Sequence, residues 1–185
     1  MSRTTVYQMP ECGQLVQIAT FSNSSGAAPR IWGVLWESLY GGTDGAFQTI
    51  HKGGLGRMFH RVKDGDLGET ESILLLWTAD FAVVETHRLL DMAKAMRDFD
   101  ACYPTLPGNA NHLLALADLY ECQARSIPTS YLGLCVQQTS VADSWCVSTE
   151  DDEPAVLYDA SIHDGHWFVF ERLDSYRRTG IEPCK

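Results

Sequence analysis

Two short clusters hold the groups best placed to do chemistry. The first is Gly53-Gly54-Leu55-Gly56, followed by Arg57, His60, Arg61 and Lys63. Glycine backbones can curl so that successive N–H groups point into one hollow, and nearby cations add to its pull on a phosphate. The same glycines suit a hairpin turn, with the cations as a solvated rim. Stricter phosphate signatures are missing: no lysine-serine pair follows the glycines, and no Gly-x-Gly-x-x-Gly joins a strand to a helix. Gly53, Gly54, Gly56 and Arg57 are therefore the candidate anion-binding residues. The second cluster, His163-Asp164-Gly165-His166, sets two imidazoles and a carboxylate within four residues, a donor set that suits a divalent metal. Asp-Gly between two alternating runs is equally the signal of a two-residue hairpin turn. The turn is the expectation, and no metal site or cofactor is expected.

Glu85, His87 and Asp91 bring acid, base and carboxylate close in sequence. Residues two apart do not share a helix face, so Glu85 and His87 would not act together on one helix. Serine and cysteine nucleophiles occur without the strained elbow or the partner spacing that would select one. No catalytic residue is assigned.

Charge speaks to partners. Acidic residues number 24 against 14 lysines and arginines, a net charge of −10. Such a chain is repelled by DNA, RNA and anionic membranes, so no direct nucleic-acid binding is expected. One reading is mimicry of a phosphate backbone, which would occupy the basic groove of a nucleic-acid enzyme. The other is a solubility charge, consistent with acids that are scattered rather than banded. Glu150, Asp151, Asp152 and Glu153 form the one acidic run and are the candidate partner-binding residues.

The elements that would position these groups follow from hydrophobic period. Thr5 to Tyr7 and Gln14 to Ala19 read as strands. Pro29 suits the first turn of a helix carrying Ile31, Val34, Leu35 and Leu39, which Gly41-Gly42 ends. Phe47 to His51 and Arg57 to Val62 read as a hairpin about the glycine turn, and the apolar run Ser72 to Trp77 as a third strand. Thr78 or Asp80 is expected to cap a helix with Leu89, Met92, Ala93, Met96, Phe99 and Tyr103 on one face. Phe81 to Val84 suits a strand as well. A further helix is predicted over 111–124, and beyond Pro128 alternation predicts strands at Tyr131 to Val136, Ser144 to Val147, Ala155 to Ile162 and Trp167 to Leu173. The fold class expected is α+β: an antiparallel sheet packed with two or three helices in a single compact domain over 1–185, with a possible β-rich subdomain at 128–185.

The six cysteines have no zinc or redox spacing and read as buried free thiols. The five tryptophans lie in apolar-periodic segments and read as core or interface anchors. The first residues lack the apolar core of a signal peptide, and no apolar stretch is long enough to span a bilayer. A cytoplasmic, membrane-free protein is expected, of open oligomeric state.

The stretch from Tyr40 to Pro104 resembles the plasmid-borne antirestriction family, whose members protect incoming DNA from type I restriction. Four features match in order: a short helix before Tyr40-Gly41-Gly42; Phe47 and Ile50 leading to Gly53-Gly54 and Met58; Thr78-Ala79-Asp80 opening a helical segment; and Arg97-Asp98-Phe99 before Tyr103-Pro104. The resemblance covers roughly residues 30–118. The tryptophan that follows Gly-Gly in the family is absent, the segment from Thr78 to Arg97 is shorter, and 119–185 has no counterpart. The resemblance implies a compact α/β protein that blocks a host nucleic-acid-targeting defence complex, restriction or CRISPR, by protein contact. A small ligand- or nucleotide-binding domain or enzyme is the alternative.

Overall fold

The computed structural model describes residues 3–11, 14–22, 26–41, 55–79, 81–106, 109–139 and 167–179. Five strands form one sheet: β1 (Arg3–Pro10), β2 (Val16–Ser22), β3 (Ala82–Glu85), β4 (Tyr131–Thr139) and the two-residue β5 (Trp167–Phe168). Their order is β2-β1-β4-β3-β5. The first four pair antiparallel, and β5 adds to β3 in parallel. Six helices are described: α1 (Ala27–Tyr40), α2 (Leu55–Asp64), α3 (Glu69–Trp77), α4 (Leu89–Cys102), α5 (His112–Ser126) and α6 (Val169–Thr179). The fold is α+β, with more helices than the two or three expected.

Alternation along the strands sorts side chains between two faces. Val6, Ala82, Val84, Leu134 and Val136 join the main core with the helices. Met9, Val83 and Cys135 form a smaller buried cluster with Tyr7, Leu15, Phe81 and Phe168 packed on it. The described part of 128–185 belongs to this same core. β4 lies between β1 and β3, and α6 packs on α2, α3 and β3. β4 and β5 are not neighbours, and the strands expected at 144–147 and 155–162 lie outside the described residues.

Several local expectations change. Arg57 to Val62 is helical, because Val62 falls one turn beyond Met58 and Phe59 and all three are buried on one side of α2. That removes the hairpin; its first strand, Phe47 to His51, lies outside the described residues. Ser72 to Trp77 is the body of α3 and is buried on every side, so it shows no polar face to set a helical period. Thr78 ends α3 instead of capping the next helix. Its backbone N–H closes on the carbonyls of Leu74 and Leu75, and its buried hydroxyl donates to the Leu75 carbonyl at 2.6 Å while accepting from Trp32 Nε1 at 2.8 Å. The strand reading of Phe81 to Val84 is the one observed, and the helix starts only at Leu89. Phe81 has φ of +57°, which for a bulky side chain costs on the order of 1 kcal/mol. Trp167 to Leu173 is strand for two residues only, after which Val169, Phe170, Leu173 and Tyr176 build the buried stripe of α6. Cys135 is a buried thiol as expected, whereas Cys102 and Cys122 are exposed. Trp32 and Trp77 are buried core residues.

Other readings hold. Gly41 ends α1 at φ +63°, and the helix predicted over 111–124 is α5, which Asn111 is found to cap by accepting from the Leu114 N–H at 3.1 Å. α4 buries Leu89, Met92, Ala93, Met96 and Phe99 against α3 and α5. Tyr103, expected on the same face, is half-buried beyond the helix end and stacks at a tilt on Phe99, ring centroids 4.8 Å apart.

Candidate functional site

A cleft of about 510 Å³ opens between the first turns of α1, the end of α4 and the start of α5. Concave sites of this size are typical of small-ligand pockets. Its walls include the apolar Ala27, Val34, Pro104, Leu106, Ala110 and Leu113. Pro104 follows the last helical residues of α4 and turns the chain back across α1, because proline cannot continue a helix.

A clasp centred on Asp100 borders the cleft. Arg30 Nη2 donates to Asp100 Oδ1 at 2.6 Å and to the Tyr103 carbonyl, while Nη1 reaches Asn111 Oδ1 at 3.4 Å. Asn111 Nδ2 donates to the same Asp100 oxygen at 2.9 Å, and the Thr105 hydroxyl does so at 3.3 Å. Asn111 therefore caps α5 and ties α5 to α4 with one side chain. The Arg30 and Asp100 side chains are 18% and 15% exposed, so the pair is largely out of water. Burial opposes the Asp100 charge, but the hydrogen bonds from Asn111 and Arg30 outweigh it and hold its carboxyl below the usual range. Because the two charges cancel, the clasp leaves the cleft close to neutral. On its rim, His112 Nδ1 lies 3.1 Å from the Ser22 carbonyl, a contact that fits an Nδ1–H donor and leaves Nε2 as an acceptor. What this arrangement can do is hold a neutral, largely apolar group.

A second cluster sits at the carboxyl end of β3. Burial pushes the Glu85 carboxyl up; a backbone hydrogen bond opposes this, and the Glu171 charge adds to it. Its Oε2 is buried without a hydrogen-bond partner. Arg88 lies over the Phe170 ring, 4.1 Å from its centroid. Its Nε comes within 2.9 Å of Asp91 Oδ2 as an ion pair but lacks hydrogen-bond alignment. Glu85, His87 and Asp91 thus fall on three different elements: the end of β3, a 3₁₀ turn (Thr86–Arg88) and the first turn of α4.

Of the candidate residues singled out from sequence, the described ones, Gly56 and Arg57, do not line the cleft. Gly56 and Arg57 lie in the first turn of α2, a helix and not a hairpin turn; Gly53 and Gly54 lie outside the described residues. So do Glu150, Asp151, Asp152 and Glu153, and the His163 to His166 turn. Among the described residues no cluster of three or more histidine, cysteine or carboxylate side chains could hold a metal. The Arg30 and Asp100 pairing escaped sequence reasoning, since the partners are 70 residues apart and each looks like an ordinary helix-surface charge. No family model, curated protein or solved structure matches the chain.

Proposed function

We propose that this chain is a non-enzymatic counter-defence protein of a plasmid or phage, which inhibits a host nucleic-acid-targeting complex, restriction or CRISPR, by protein contact. The observation that carries the reading is the net charge of −10. The surplus acids set a field that repels nucleic acid and attracts the basic surfaces of proteins that handle it. Six of the described cations, Arg30, Arg61, Arg88, Lys94, Arg97 and Arg177, each sit beside a carboxylate. The likeness of residues 30–118 to the antirestriction pattern gives the same direction. No described helix is long and apolar enough to cross a membrane, and the host cytoplasm is the proposed compartment.

The test is transformation of restricting and non-restricting hosts with unmodified plasmid, with and without the protein. Recovery of transformants only in the restricting host supports inhibition of restriction, and a parallel CRISPR-targeted plasmid separates the two defences. No recovery in either host contradicts the proposal.

The 510 Å³ cleft favours a second reading, a small-ligand-binding domain. A thermal-shift panel of metals, nucleotides and apolar metabolites tests it, because a ligand at a hundred times its Kd stabilises by about 2.7 kcal/mol. A panel without a shift counts against it.

A further inference from the structure

The cleft between α1, α4 and α5 joins an apolar wall to polar groups whose hydrogen-bonding sense is fixed by their other partners. Val34, Pro104, Leu106 and Leu113 supply the wall. Leu106, at 72%, is the most exposed large apolar side chain among the described residues, so an occupant that covers it removes apolar surface from water. Charge is poorly served here. Arg30 lines the cleft, but its guanidinium is already engaged by Asp100, Asn111 and the Tyr103 carbonyl. An anion would have to part Arg30 from Asp100, and a cation would have to compete with Arg30 for that carboxylate; breaking a largely buried pair costs more than a partly wet ion gains.

The remaining polar groups lean toward accepting. The Ser22 carbonyl has no hydrogen to give, so His112 Nδ1, 3.1 Å away, carries one, and the neutral ring offers a lone pair at Nε2. A tilted contact with Phe21, ring centroids 6.0 Å apart, holds the same imidazole. Thr105 gives its hydroxyl hydrogen to Asp100 at 3.3 Å, which leaves that oxygen only lone pairs to present. Both residues line the cleft. A matching ligand must therefore donate a hydrogen bond without carrying charge. At neutral pH amines are cationic and carboxylic acids anionic, whereas alcohols and phenols remain neutral donors. We propose that the cleft binds a neutral alcohol or phenol, its apolar body against Val34, Pro104, Leu106 and Leu113 and its hydroxyl donated to His112. This rests on the small-ligand reading of the cleft and names the ligand class.

Cys102 is a built-in reporter, being exposed and part of the cleft lining, and the exposed Cys122 on α5 lies outside that lining. Alkylation of both by iodoacetamide is followed on the full chain by mass spectrometry, with four probes that share one body: 4-butylphenol, 4-butylanisole, 4-butylbenzoate and 4-butylbenzylamine. At about ten times its Kd, 4-butylphenol is expected to slow Cys102 alkylation about tenfold and to leave Cys122 unchanged. The anisole, which lacks the donor, is expected to bind about fivefold more weakly, and the two charged probes more weakly still. In His112→Phe, which keeps a ring but removes the acceptor, phenol and anisole are expected to bind alike. Should that variant not fold, the four probes on the wild type decide alone. An anisole that binds as well as the phenol, a charged probe that protects best, or an undiminished phenol preference in His112→Phe would overturn the ligand class and leave the small-ligand reading standing. Cys102 left unprotected by every probe would remove both.

Discussion

Trp77 Nε1 donates to the Tyr120 hydroxyl at 2.9 Å, with both side chains fully buried, and this bond joins α3 to α5 through the centre of the core. Burial raises the Tyr120 pKa well above its ordinary value, so the phenol stays neutral. Replacing Tyr120 by Phe keeps the shape but strands the indole N–H, a loss of about 1–3 kcal/mol. Urea unfolding of Tyr120→Phe against wild type measures it, and a change under about 0.5 kcal/mol would mean that the bond contributes little.

Gly133 and Gly33 are expected to respond in opposite directions to alanine. A Cβ on Gly133 would lie 2.0 Å from the Val84 carbonyl oxygen, backbone that cannot step aside without breaking the β3–β4 ladder. Gly133→Ala is expected to cost on the order of 3 kcal/mol or to prevent folding. Gly33, within α1, has open space where its Cβ would go, so Gly33→Ala is expected to add about 0.5–1 kcal/mol. Paired melting curves give both signs in one experiment.

How much of this was legible in sequence depended on whether an element keeps a wet face. α4 and α5 expose one side to water, so their apolar stripes were readable from Leu89, Met92, Met96 and from Leu113, Leu116, Tyr120. α3 has no such face over Ser72 to Trp77, and an apolar run reads equally well as a buried strand. In α2 the glycines before Arg57 suggested a turn and drew the following residues into a hairpin, although Met58, Phe59 and Val62 already had helical spacing. The Asp100 clasp was invisible for a different reason: it exists only once α1, α4 and α5 have packed.

The clasp gives its own prediction. Arg30→Ala would leave Asp100 largely buried with Asn111 and Thr105 as its remaining partners, and is expected to cost about 1–3 kcal/mol. Since the folded pKa of Asp100 is depressed, its contribution is present above the unfolded carboxyl pKa and lost as pH falls through the folded value. The difference between Arg30→Ala and wild type is therefore expected to shrink in acid, as read from urea midpoints at a series of pH values.

Glu85 works in the opposite sense. Its folded pKa is raised, so its favourable contribution is complete below the unfolded pKa and disappears as pH rises through the folded one. Glu85→Gln is expected to be more stable than wild type at neutral pH, with the two converging at acidic pH. Equal stability at both ends would remove Glu85 as a source of pH dependence.

The electrostatic part of the proposed function rests on the acids. Reversing Glu150, Asp151, Asp152 and Glu153 to lysine shifts the net charge from −10 to about −2. If that run contacts the partner, protection of incoming DNA is expected to fall and its salt dependence to weaken. Unchanged protection would remove those four residues from the mechanism.

The most direct measurement is an affinity pull-down of the tagged full chain from host lysate, with and without nuclease, read by mass spectrometry. Inhibition by protein contact predicts a restriction or CRISPR subunit that remains bound after nuclease treatment. Its loss on nuclease treatment, or the absence of any such subunit from a host in which defence is active, would contradict direct contact.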